Sequence, residues 1–126
     1  MGIRNSFLNF RQIEENHIME NIIYLELKRR GFSVDVGVVE IRTNSSNIQL
    51  EIDFVANKGS DKYYIQSSLN LDTEEKMNQE IRPLVSVNDF FKRIIIVKDD
   101  IVKYQNEQGI VIMGIYDFLL DENCLS

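Results

Sequence analysis

The chain has 126 residues and a net charge of −6, with 44% apolar and 27% charged residues. That length supports one core and excludes two, and the composition excludes disorder and fibrous folds. The acidic balance gives no long-range attraction to a phosphate backbone. The single cysteine, Cys124, and the single histidine, His17, exclude an internal disulfide and the usual structural zinc patterns, and fit a reducing cytoplasm. No apolar run reaches membrane-spanning length, so no membrane partner is expected. Met1-Gly2 opens a short match to the myristoylation pattern, a pattern that also arises by chance.

Ile13 to Arg30 reads as the first helix. Ile18, Met19, Ile22, Ile23, Leu25 and Leu27 give it a broad apolar face, and Glu20, Tyr24 and Lys28 follow at i, i+4 spacing beside that face. Arg29, Arg30 and then Gly31 form a stop signal. Lys28-Arg29-Arg30 could also hold a phosphate, although a basic helix end is the commoner use of such a run.

Three strands follow, over Phe32 to Arg42, Gln49 to Ala56 and Tyr63 to Leu69, separated by the turn clusters Thr43–Asn47 and Asn57–Asp61. Period two puts Leu50, Ile52 and Phe54 on one side of the second strand and Glu51, Asp53 and Val55 on the other. On the third strand it groups Tyr64, Gln66 and Ser68 against Tyr63, Ile65 and Leu69. Asp72, with Glu75 three residues on, opens a second helix that Pro83 should end or kink. Arg93 to Lys98 is a buried strand. Ile101–Tyr104 and Ile110–Met113 form a hairpin around Asn106–Gly109, and Ile115–Leu120 is a closing helix. The expected fold is α/β (α+β), in the order α-β-β-β-α-β-β-β-α, with helices packed on a mixed sheet.

Chemistry is concentrated where strands two and three meet. If they pair, Asp53, Gln66 and Ser68 share one side, and Glu20 reaches it if the first helix covers that face. Carboxylates on adjacent elements suit a hard cation, which makes Asp53, Glu20 and Glu51 candidate ligands for Mg or Mn. Alternating acids on a half-exposed strand are usually just its ordinary wet face. His17 has no nucleophile beside it, Ser67-Ser68 lacks an elbow context, and no P-loop is present, so the chain has no such route to ATP.

The series Gly2-Ile3-Arg4-Asn5, Glu20-Asn21-Ile22-Ile23-Tyr24-Leu25, Arg30-Gly31-Phe32, Glu51-Ile52-Asp53-Phe54-Val55, Tyr63-Tyr64-Ile65-Gln66, Glu80-Ile81-Arg82-Pro83-Leu84 and Asp117-Phe118-Leu119-Leu120 resembles a domain of unknown function. That domain lies at the C-terminal end of bacterial and archaeal AAA-type ATPases. The resemblance spans nearly the whole chain and implies a single domain, 1–126, that normally follows an ATPase domain. It implies a restriction-endonuclease-like fold related to the PD-(D/E)xK nucleases. On that pattern Glu20 matches the helical acid and Asp53 the metal-binding aspartate. Gln66 stands at the second acidic position and Ser68 at the lysine. A neutral amide and a hydroxyl replace a charge and a cation, so the implied site is a degenerate one, with Lys28 or Lys62 as conceivable substitutes for the lysine. The expectation is a non-catalytic accessory domain partnered by an AAA-type ATPase domain. The alternative is a Mg- or Mn-dependent DNA nuclease. Separation from an ATPase partner further implies an exposed apolar patch open to homodimerisation.

Overall fold

The computed structural model describes residues 3–42, 44–71, 73–87, 91–99 and 101–121, with the side chains of residues 3–12 and 41 excepted. Met1-Gly2, Asp72 and Cys124 lie outside the described residues. The elements are α1 (Ile3–Arg29), β1 (Ser33–Arg42), β2 (Asn47–Lys58), β3 (Asp61–Ser68), α2 (Glu74–Val85), β4 (Lys92–Val97), β5 (Tyr104–Gln105), β6 (Val111–Gly114) and α3 (Ile115–Leu120). This is the expected order, in a six-stranded mixed sheet arranged β1-β2-β3-β4-β6-β5.

Local chemistry sets the joints. After α1, Gly31 takes φ 92°, Phe32 N–H donates to Leu27 O, and Gly31 N–H donates to Lys28 O. This double closure needs a left-handed residue, which glycine supplies without steric cost. β1, β2 and β3 form an antiparallel meander. β4 then joins β3 in parallel, which requires the crossover that α2 provides. β6 is parallel to β4, and β5 is a short antiparallel edge strand on β6. The hairpin is the expected one, but its first strand covers only Tyr104 and Gln105. Asn106 closes the turn by accepting Gln108 N–H and Ile110 N–H on its side-chain oxygen.

Two cores sandwich the sheet. On one face Met19, Ile23 and Leu27 of α1 and Phe118 of α3 meet Phe54, Ala56, Ile65, Ile94, Ile96 and Met113. On the other, Ile81 and Leu84 of α2 meet Ile52, Val55, Tyr64, Ile95, Val97 and Ile112. β4 is apolar from Ile94 to Val97 because alternate residues there enter the two cores.

Several expectations need correction. α1 begins ten residues earlier than its apolar periodicity indicates. Only part of its apolar face is used: Met19, Ile23 and Leu27 are buried, whereas Ile18, Ile22 and Leu25 are exposed. The cap of α2 is Thr73, whose hydroxyl accepts Lys76 N–H at 3.1 Å, and Pro83 lies inside the helix, buried. Finally, strict alternation fails on β2. Gly37 pairs with Ile52 while Asp35 pairs with Val55, so Asp53 and Phe54 together face only Val36. This bulge puts Ile52 and Val55 in the same core, where unbroken period two would have separated them.

Candidate functional site

The bulge positions Asp53. Pairing between β2 and β3 runs from Lys58 with Asp61 to Phe54 with Ile65 and goes no further. Beyond it, side chains replace the backbone ladder. The Asp53 carboxylate accepts Ser67 N–H at 2.9 Å and the Ser67 hydroxyl at 3.2 Å. In return Asp53 N–H donates to Gln66 Oε1 at 2.8 Å. Gln66 is 4% exposed, and its amide nitrogen donates to Glu80 O on α2 at 3.4 Å. A buried polar side chain needs such partners, and here they splice two strands and a helix.

The splice borders a polar cavity of about 360 Å³, lined by residues of four elements. α1 contributes Asn16 and Glu20, β2 contributes Asp53, and α2 contributes Lys76, Gln79 and Glu80. Ser67 to Asn70 close it at the end of β3. Lys76 Nζ donates to Asn70 Oδ1 at 3.1 Å.

Glu20 and Asp53 are therefore brought together, as the spacing anticipated. Ser68 lines the same cavity, but its hydroxyl donates to Asn70 O at 2.7 Å. Gln66 has its side chain in the splice and does not line the cavity. Glu51 is not part of the group either. It is exposed on β2 opposite Val38 and does not line the cavity. Lys28 is exposed on α1 and Lys62 lies over the Tyr64 and Phe91 rings, and neither lines the cavity. The cation at the cavity is Lys76. In the Lys28-Arg29-Arg30 run, Arg29 forks onto Glu26 at 2.6–3.2 Å, and Arg30 stacks over Phe118 while donating to Phe118 O. These two arginines fasten α1 to itself and to α3.

Sequence reasoning missed Glu80 and Lys76. Their signal was present: they lie four apart, on one helix face bordering the Met77, Ile81 and Leu84 stripe. What was hidden is that this face overlooks Asp53.

The carboxylates perturb one another. Burial pushes Glu80 up to about 7, with Asp53 and then Glu20 adding to the effect. Burial also raises Asp53, opposed by its two bonds from Ser67, while Glu51 raises it further. Glu20 is raised by burial and by Asp53, with His17 pulling the other way. Water removal and like charge both favour the neutral acid. The cluster thus holds protons more tightly than isolated carboxylates do.

A magnesium- or manganese-type site requires several oxygens converging on one point. Among the described residues, no group of three or more His, Cys, Asp or Glu side chains is arranged to hold a metal ion. Gln66, expected at the second acidic position, is an amide committed to the backbone. The donor set does not fit the metal that the nuclease pattern implies. Among the described residues, no helix is long and apolar enough to cross a membrane.

No protein-family model matches the chain. It is 31% identical over 122 residues to a Haemophilus influenzae protein described as uncharacterized, in a match covering 94% of this chain and 27% of that protein. The chain thus spans about a quarter of the length of this curated relative.

Proposed function

We propose that this chain is a non-catalytic accessory module of an AAA-type ATPase, built on a restriction-endonuclease-like frame whose metal site has lost its chemistry. The observation that carries this reading is Gln66. At the position of the second metal-binding acid, its carbonyl oxygen holds Asp53 N–H and its amide reaches Glu80 O. The residue has become part of the scaffold. Ser68, at the lysine position, brings no cation and donates to a backbone carbonyl. The accessory role is supported by the ordered motif series, by the α-β-β-β-α-β-β-β-α order, and by the match to about a quarter of a longer protein. Its partner on this reading is an ATPase domain, and its compartment the cytoplasm.

A second reading, a Mg- or Mn-dependent DNA nuclease, has one observation in its favour. Glu20, Asp53 and Glu80 line one cavity with Lys76, so α2 supplies the acid and the cation that β3 lacks. Incubation with supercoiled plasmid and Mg or Mn decides between the two. The accessory reading expects intact plasmid. Nicking or linearisation that disappears in Asp53→Ala would establish the nuclease instead.

A further inference from the structure

The sheet uses only one side of α1. Among its described side chains none before Met19 is buried, and the buried ones are Met19, Ile23, Glu26 and Leu27. Ile18, Ile22 and Leu25 remain 57%, 39% and 56% exposed. At roughly 100° per residue these three fall within about 60° of one another, about a third of a turn from the buried face. Their spacing, four and then three, is that of a seam between two helices. The stripe continues into an apolar groove between α1 and α3, where Ile18, Met19 and Ile22 face Ile115, Tyr116 and Leu119.

Charges bracket the stripe. Glu14 lies four residues before Ile18, and Lys28 three residues after Leu25. Both fall on one flank of the stripe, within about 40° of each other. Both are exposed, and neither has an ion pair among the described residues. Parallel pairing of two such helices would set Glu14 beside Glu14 and Lys28 beside Lys28. Antiparallel pairing about an axis near Ile22 sets Glu14 against the partner's Lys28 twice, and Ile18 against the partner's Leu25. The surface is complementary to itself, as a two-fold interface requires.

We infer that the Ile18, Ile22 and Leu25 stripe is a homodimer interface, onto which a second copy of the chain docks α1 against α1 in antiparallel fashion. Sedimentation equilibrium of the 126-residue chain over roughly 1–200 µM tests it. Twice the monomer mass is expected at the upper end. Ile22→Asp, at the axis and outside the core, leaves only monomer. Glu14→Lys weakens association by about tenfold through two reversed contacts, and Glu14→Lys with Lys28→Glu restores it. A wild-type chain that stays monomeric throughout would overturn the inference. So would a dimer indifferent to Ile22→Asp, or a charge swap that fails to recover association in a chain of native helicity.

Discussion

Gln66 Oε1 accepts the Asp53 backbone N–H at 2.8 Å, so one side chain completes the β2–β3 junction where the ladder stops. The same amide reaches Glu80 O, and Asp53 answers by accepting Ser67 N–H. Gln66 and Asp53 thus act together as a structural splice beside a cavity of mutually repelling carboxylates.

Replacing Gln66 by Met keeps the approximate volume and removes both bonds. Asp53 N–H is then left without its acceptor in a part-buried setting. Such orphaned groups cost about 1–3 kcal/mol, and that loss is expected in urea unfolding. A cost under about 0.5 kcal/mol would mean that solvent replaces the amide freely.

Glu80 makes stability depend on pH. Its folded value of about 7 lies above the ordinary 4.5, so between these limits the folded chain holds a proton that the unfolded chain has released. Stability therefore falls as pH rises from 4.5 to 7. Glu80→Gln removes this dependence. The variant should exceed wild type by roughly 1–3 kcal/mol at pH 8, allowing for partial solvent screening, with the gap closing towards pH 4.5. Urea titrations at the two pH values check it, and a gap independent of pH would contradict the assignment.

Asp53 acts on Glu80 at a distance, as the largest cause after burial. Asp53→Asn removes the charge and keeps an acceptor for Ser67. The Glu80 midpoint, followed by carboxyl carbon NMR, should move down from about 7 towards the ordinary value. An unchanged midpoint would show that Asp53 does not contribute and that burial and Glu20 set it.

Gly37 stands against the bulge. A Cβ there would lie 2.7 Å from Val55 Cγ2 and 3.2 Å from Ile52 Cβ, both belonging to buried residues. Gly37→Ala should cost about 1–3 kcal/mol by overpacking. Thermal unfolding reads it directly, and wild-type stability would mean that the bulge relaxes.

The element order was legible because its signals are local: the Val-rich strands, the Asn- and Gly-rich turns, and Gly31 after two arginines. The pairing of Glu20 with Asp53 was legible too, since a helix and a strand each place one acid. The bulge was not. It depends on Gly37 admitting Val55 and Ile52 from the neighbouring strand, a contact between strands that period two does not encode. Glu80 and Lys76 were hidden for a similar reason, because α2 meets β2 only once the crossover is made. Nor does the apolar width of α1 reveal which residues the sheet will cover, and the uncovered Ile18, Ile22 and Leu25 become visible only when the sheet is in place.

On the proposed accessory reading, the cavity of Glu20, Asp53 and Glu80 does not hold a metal ion. Isothermal titration of manganese and magnesium into the chain, with Asp53→Ala as control, tests it most directly. No saturable heat is expected with either ion, and identical traces for the two proteins. Saturable binding that disappears in Asp53→Ala would contradict it, and would assign Glu20, Asp53 and Glu80 to a working metal site.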